Sequence, residues 1–598
     1  MFKYRKNRDL FVERKYRSIW AVQPVDYIIL LVYLVGIFLV GFCLSLKNKT
    51  SSDMFAAGGE SPWWTSGLSS FMTMFSAGTF VVWGGIAYKY GMVAVTINLC
   101  YGIAAILVGF FVASHWKRLG VKTPAQFIEL RFGLPAVQFY IWSMMVFRLV
   151  SVAISLYSLA VVLTAMMPLD TSNPLCDPAT GHLSLVWAVA IFGSIVIVYT
   201  MAGGLWAVLM TDVLQFIVLN LAVLFIVPLA FGQVGGVAAF IAKAPDGFFA
   251  LTQDKYTWFF MVGWAMIHFF MIGAEWAFAQ RFICVPSEKD ARKSTYLFGI
   301  LYLLSPLLWL LPPMIYRVIN PNADPQEAYI LACQAVLPAG MLGLMVAAMF
   351  SATASMVSSQ LNVFAGVLTD EIYRLKFKPK ASEKQLMQAG RVFTILLGVA
   401  VIFVSLAIPY LGGAEKLVVS ISSLMVGPLL APTIWGLFSK SIDIKAIWTC
   451  IGVSFVLGVI AKFGLVADGF LWMDSTRVLS DWIAANGQTT DLIIGVVMPV
   501  IILSSMHSMK TTTAEGWDKV KDFAKEKSDS AVQTEASSMP AMIVGGCLFV
   551  CALMMFSLAV YNDEGKGLLT AFGGVLLLIT VVISLYLYFK NKGTKPTS

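Results

Sequence analysis

Residues 63–85 read WWTSGLSSFMTMFSAGTFVVWGG. About 20 predominantly apolar residues cross a bilayer, and this stretch is long enough, yet Ser76-Ala77-Gly78-Thr79 interrupts it near mid-depth. A helix broken inside hydrocarbon is tolerated only where its freed backbone groups line a cavity or bind something. Tight helix packing through small residues is the competing explanation. A second stretch, residues 264–282, WAMIHFFMIGAEWAFAQRF, is interrupted in the same way by His268, Gly273 and Glu275. The two breaks lie five apolar spans apart. That is the pattern of an inverted repeat of five plus five helices, with the first helix of each half unwound around a midplane site.

Working outward, the rest of the chain fits a membrane protein. Its 598 residues are 59% hydrophobic and 13% charged, with mean hydropathy +0.80, far more apolar length than a soluble core buries. The formal charge of +9 is therefore a topology signal, with no support for nucleic-acid binding. Eight cysteines are scattered without a CxxC pair and read as small core residues; Cys176 with Cys333 is the one loop pairing to consider. The first apolar run follows a basic tail and lacks a small-residue cleavage site, so it is expected to remain as a span.

Apolar spans are expected at roughly 27–46, 62–86, 91–113, 134–166, 184–203, 205–231, 256–284, 296–318, 339–371, 385–409, 416–437, 443–465, 490–507, 540–561 and 567–589, fifteen in all. Loops around 112–133, 281–295, 372–390 and 508–539 and the tail after 589 hold 4, 4, 5, 5 and 3 Lys/Arg. Those around 167–183, 232–255, 319–338, 410–415 and 466–489 hold 0, 2, 0, 0 and 1. The positive-inside rule places the first set in the cytoplasm. An odd number of spans then puts the N-terminus outside and the C-terminus in the cytoplasm, against the pull of seven Lys/Arg in residues 1–25. The expected location is the plasma (cell inner) membrane.

Polar residues inside the spans mark candidate sites. Residues 349–374, MFSATASMVSSQLNVFAGVLTDEIYR, carry Ser351, Ser355, Ser358 and Ser359 at offsets of four, three and one. The first three share a helical face, with Ser359 beside them. Such a row packs helices or, facing another polar element, supplies oxygens to a hard cation such as Na⁺. Asp212 lies about seven residues into its span, roughly 10 Å along a helix. A carboxylate at that depth calls for a cation or a partner, unless it stays hydrated near the cytoplasmic mouth or caps a neighbouring helix.

The run Tyr199–Gln215 (YTMAGGLWAVLMTDVLQ), the Pro-Trp-Trp and Ser-Ala-Gly of 62–78, Gln280-Arg281, and Ser355–Asn362 followed by Leu-Thr-Asp-Glu-Ile-Tyr at 368–373 resemble the sodium/solute symporter family over about residues 27–507. Its members carry sugars, proline, sialic acid or monocarboxylates. The resemblance implies an all-α polytopic membrane protein with a five-plus-five inverted-repeat (LeuT-like) transporter core, discontinuous helices and extra flanking helices. The corresponding division is a basic tail (1–25), a first peripheral helix and loop (26–61), a ten-helix core (62–437), two further helices (438–507), a cytoplasmic linker expected to hold a short helix (508–539), a C-terminal hairpin (540–589) and a basic tail (590–598).

The resemblance also implies ion sites. A Na⁺ between the first and eighth core helices would take the carbonyls of Met72, Phe75 and Ala352 and the hydroxyl of Ser355. Met356 stands where a second hydroxyl is usual, so this site has one side-chain oxygen fewer. A second Na⁺, present in some members, would take Asp212, Ser355, Ser358 and Ser359. One or two Na⁺ are thus expected as coupling ions.

Substrate candidates are Ser76 and Thr79 at the first break, Arg148, and His268, Met271 and Ile272. By the resemblance the last three replace the Asn, Tyr and Trp around the sugar of a galactose-transporting member, so that stacking platform is missing. Arg148 either holds a substrate carboxylate or pairs internally with Glu275, and His268 is either a ligand or a hydrogen-bonded core residue. The expected function is sodium-coupled symport, by alternating access, of a small organic solute: a sugar, or a carboxylate such as sialic acid or another organic acid. The alternative is a substrate or sodium receptor on the same fold. No phosphate-binding loop or catalytic motif points to an enzyme, and a monomer in lipid is the expected state.

Overall fold

A computed structural model describes residues 22–45, 60–200, 205–466, 469–471, 473–510, 512–529, 538–561 and 565–593. Most of the basic N-terminal tail, residues 201–204 of the Tyr199–Gln215 run and the end of the 508–539 linker lie outside them. The described chain is helical almost throughout, because in hydrocarbon the backbone must satisfy its own hydrogen bonds.

In chain order the elements that position the site are α1 (Pro24–Ser45), α2 (Trp63–Thr73), α3 (Gly84–Tyr90), α4 (Met92–Phe111), α5 (Leu134–Met166), α6 (Leu185–Thr200), α7 (Leu205–Val234), α8 (Trp258–Ala274), α9 (Trp276–Ile283), α10 (Glu288–Trp309) and α11 (Met341–Val367). There follow α12 (Glu383–Ala407), α13 (Gly413–Phe438), α14 (Ile444–Val459), α15 (Met498–Met509), α16 (Glu515–Asp529), α17 (Met539–Tyr561) and α18 (Lys566–Gly593). Among the described residues, eleven helical stretches have the length and apolarity to span a bilayer, and the bent pair α8–α9 makes a twelfth. The other three expected spans fall on α1, on α2 with α3, and on α6.

Both interruptions are real breaks. α2 stops at Thr73, and the chain resumes through a π-helical turn at Thr79–Trp83 that leads into α3. α8 and α9 meet at 52° around Glu275, whose extended backbone (φ −68°, ψ 138°) joins them. These are the discontinuous helices of a five-plus-five inverted-repeat core.

Small residues let the core helices approach. A methyl group on Gly67 of α2 would stand 2.7 Å from the Ser294 carbonyl of α10, and one on Gly102 of α4 2.8 Å from the Gly299 carbonyl. Substitution there forces the backbones apart. α1 joins the core through Asp26, buried at 1% exposure. Its Oδ1 accepts from the backbone N–H groups of Gly340 (2.7 Å) and Gly343 (2.8 Å) at the start of α11, which are donors a helix leaves unsatisfied.

The linker helix α16 docks against the loop helix Pro124–Phe132. A methyl group on Gly516 would meet the Arg131 carbonyl at 2.0 Å, and the Arg131 guanidinium lies 5.6 Å from the centre of the Trp517 ring while donating to the Gly436 and Ser439 carbonyls at the end of α13. Cys176 and Cys333 both carry free thiols, which corrects the pairing considered for them; Cys333 is locked inside the helix Ala328–Val336.

Candidate functional site

The hydroxyl row of α11 faces α7, because Ser351 and Ser355 are one helical turn apart and so are Asp212 and Gln215. Asp212 is 3% exposed, which removes the hydrated-mouth alternative. Ser355 donates to its Oδ1 at 2.9 Å, and the Gln215 amide donates to the Ser351 hydroxyl at 2.7 Å. Ser358 donates to the Ser355 carbonyl at 3.0 Å, its own helix, and not to Asp212. Ser359 is half-buried, and among the described residues no hydrogen bond joins it to Asp212. Of the four residues expected around a second ion, the structure thus brings Asp212 and Ser355 into direct contact and leaves Ser358 and Ser359 beside them.

Two further groups reach Asp212. Ser69 of α2 donates to Oδ2 at 2.6 Å, and the Arg281 guanidinium of α9 stands 3.6 Å from the same oxygen. Arg281 is held back by its other bonds: Nε donates to the Ser69 hydroxyl at 2.9 Å and Nη1 to the Ala277 carbonyl at 2.8 Å. Ser66 closes the network by donating to the Arg281 carbonyl at 2.7 Å. The sequence reading missed these partners. Their signal was present in Ser66, Ser69 and Thr73, spaced at three and four on α2 like the row on α11.

The break between α2 and α3 lies against α11. The backbone N–H of Phe75 donates to the Met72 carbonyl at 2.9 Å, and Met72, Phe75, Ala352 and Ser355 are all buried. The Ala77 N–H donates to the Thr353 hydroxyl at 2.8 Å, which ties the break to the helix carrying Ala352 and Ser355. Ser76 donates to Ser155 of α5 at 3.1 Å.

Beside the break opens a cavity lined by Ser76, Thr79, Arg148, His268, Met271 and Met356, among others. Ile272 is fully buried and is not part of this lining, since it sits about 100° round the helix from Met271. His268 is bonded through Nδ1 to the Trp264 carbonyl at 2.8 Å, a core histidine whose ring also borders the cavity. Arg148 is engaged by Glu275: Nε to Oε1 is 3.1 Å and Nη2 to Oε2 is 3.0 Å, a two-pronged contact. The internal pair, left open by the sequence, is therefore the one that forms.

An aromatic wall faces the cavity, although Met271 and Ile272 replace the expected rings. Trp83, Tyr101 and Trp264 line it; Tyr101 lies tilted against His268 with centroids 3.8 Å apart and stacks on Tyr302 at 5.2 Å. Thr73, Ser151 and Ser155 belong to the same lining, which thus combines aromatic rings with hydroxyl-bearing residues.

Comparison with known proteins gives a consistent result. The model of the sodium:solute symporter family matches residues 54–452. The sodium/sialic acid symporter SiaT of Proteus mirabilis is 27% identical over 471 residues, 75% of this chain and 91% of the relative. Sodium/glucose cotransporter 1 of Mus musculus is 24% identical over 489 residues, 73% and 71% of the two chains. Among solved structures, an outward-open, substrate-bound Na⁺-coupled sialic acid symporter superposes with a TM-score of 0.64 at 22% identity, over 82% of this chain and 99% of that one. At that identity the likeness concerns the fold.

Proposed function

The chain belongs to the sodium:solute symporter family, and from that premise we propose how it binds its ions and what it carries. It is a multi-pass membrane protein, and its activity is sodium-coupled symport of a small organic solute. In the proposed arrangement one Na⁺ takes the Met72, Phe75 and Ala352 carbonyls with the Ser355 hydroxyl, and a second is held by Asp212 with Ser355, Ser358 and Ser359 after small side-chain rotations. The observation that carries this reading is Asp212: a carboxylate at 3% exposure that receives hydroxyls from two helices and keeps its guanidinium at 3.6 Å retains capacity for an exchangeable cation.

The cavity supports a neutral, polyhydroxylated solute first, because rings and hydroxyls suit the two faces of a sugar and the nearest guanidinium is already neutralised by Glu275. A carboxylate such as sialic acid is the second reading, favoured by the 27% identical sialic acid symporters. Transport is by alternating access across the plasma membrane. Asp26 places the start of α1 beside Gly340, next to the Lys/Arg-free loop 319–338, and this supports an outside N-terminus with a cytoplasmic C-terminus. A monomer suffices for this reading. The receptor alternative has no observation in its favour, since the described part of the linker is a helix packed on the transporter itself.

Uptake into proteoliposomes tests the assignment. Sodium should be required, and Ser355→Ala, which strips the side chain common to both ion sites, should abolish most uptake at limiting Na⁺; wild-type uptake in that variant would overturn the sites. Uptake against Na⁺ should be sigmoidal with a Hill coefficient approaching ~2, and Asp212→Asn should bring it toward ~1. A thermal-shift screen in Na⁺ against neutral sugars, sialic acids and short carboxylates decides the solute class, since only a bound ligand stabilises with concentration.

A further inference from the structure

The break at 74–76 and the first turn of the helix that resumes at Ala77 carry backbone donors that a continuous helix would satisfy by itself. Three of them are taken by hydroxyls: the Ser76 N–H donates to Thr79 Oγ1 at 3.3 Å, the Ala77 N–H to Thr353 Oγ1 at 2.8 Å and the Gly78 N–H to the Ser76 hydroxyl at 3.1 Å. Thr79 and Ser76 belong to the same segment, so of these three bonds the one to Thr353 alone crosses to another helix. Thr353 is fully buried. Its own proton is committed to the Met349 carbonyl at 2.9 Å, one turn back on α11, so its oxygen can only accept from Ala77.

This arrangement has a direct consequence for the carbonyls. In a planar trans peptide the N–H and C=O point in opposite directions. Fixing the N–H of Ser76 therefore aims the Phe75 carbonyl, and fixing the N–H of Ala77 aims that of Ser76, which receives the Thr79 N–H at 2.9 Å. With the donors absorbed by hydroxyls, the stretch presents acceptors, which is what a sodium ion needs.

We propose that Thr353 is a positioning residue for the sodium site between the first and eighth core helices: it pins the Ser76–Ala77 peptide to α11, one peptide beyond the Phe75 carbonyl, and so limits how far that carbonyl can swing away from the helix carrying Ala352 and Ser355. It is not itself a ligand. The inference rests on the sodium-site reading given above, and it separates Thr353 from its neighbours on α11, whose oxygens face the ion.

The test uses Na⁺ alone, on full-length protein in detergent, with Na⁺ replacing K⁺ at constant ionic strength and the melting temperature followed as the readout. Wild type should be stabilised by Na⁺ over K⁺. Thr353→Val keeps the shape and removes the acceptor, so the Na⁺ midpoint should rise by roughly fivefold to tenfold, the low end of what a buried N–H left unpaired can cost. Thr353→Ser restores the acceptor and should return the midpoint to within about twofold of wild type. Should Thr353→Val not fold, Thr353→Ala removes the same acceptor with a smaller side chain and carries the same expectation. A midpoint for the acceptor-free variant within twofold of wild type, or equal shifts in Thr353→Ser and Thr353→Val, overturns the inference. Absence of any Na⁺-specific stabilisation in wild type would instead overturn the sodium-site reading beneath it.

Discussion

Among the described residues two guanidinium–carboxylate pairs are buried, and they are built differently. Arg148 and Glu275 meet at the bend between α8 and α9 through one hydrogen bond of 3.1 Å and a second charge contact of 3.0 Å. Arg281 and Asp212 stand 3.6 Å apart, with the Ser69 hydroxyl bonded to both and Ser355 on the remaining carboxylate oxygen. A charge in hydrocarbon needs compensation, but compensation can be closed or open. The first pair is closed and fastens α5 to the broken helix; the second keeps its guanidinium at a distance and surrounds its carboxylate with hydroxyls, the feature on which the proposed second ion site rests.

The sharpest way to break this comparison is to remove one member of the closed pair. Arg148→Ala leaves Glu275 buried without a partner and should cost about 3–5 kcal/mol of stability, with Arg148→Ala/Glu275→Ala recovering part of the loss because no lone charge remains. Thermal unfolding of the purified variants checks this, and purely additive losses would show that the pair is not a unit. Na⁺ should not repair Arg148→Ala.

In the open pair the expectation reverses. Arg281→Gln should cost about 1–3 kcal/mol when K⁺ is the only cation, since Asp212 loses a partner, and Na⁺ should restore most of it by standing in for the guanidinium. The measurement is the melting temperature of the variant in Na⁺ minus that in K⁺, compared with wild type. An identical difference in the two would erase the distinction drawn between the pairs. Smallest of all, Ser69→Ala removes the bridging hydroxyl and should lower stability by about 0.5–1.5 kcal/mol; a loss as large as that of Arg148→Ala would make the bridge, and not the ions, the centre of the network.

Several features were legible along the chain because they are local. Apolar length located the spans, small and polar residues located both breaks, and the spacing of Ser351, Ser355 and Ser358 placed them on one helical face. Asp212 was legible as a buried charge needing a partner. The resemblance supplied Ser355 for it, and the structure places that hydroxyl at 2.9 Å. The aromatic wall was not legible: Met271 and Ile272 replace the expected rings, and Trp83, Tyr101 and Trp264 come from elements whose mutual rotation the sequence does not state.

What the sequence by itself determined is the set of helices, where they fail and which face of each is polar, since a span satisfies its own backbone and its side-chain period follows from 3.6 residues per turn. What only the tertiary structure decided is which polar face meets which. Arg148 finds Glu275 across 127 residues, Asp212 is shared among Ser69, Ser355 and Arg281, and Thr353 receives an amide 276 positions away. With the backbone hydrogen bonds spent inside each helix, nothing local fixes the register between helices; that is set by how small residues such as Gly67 and Gly102 let them cross, and so the partners of the buried charges emerge only when the bundle is assembled.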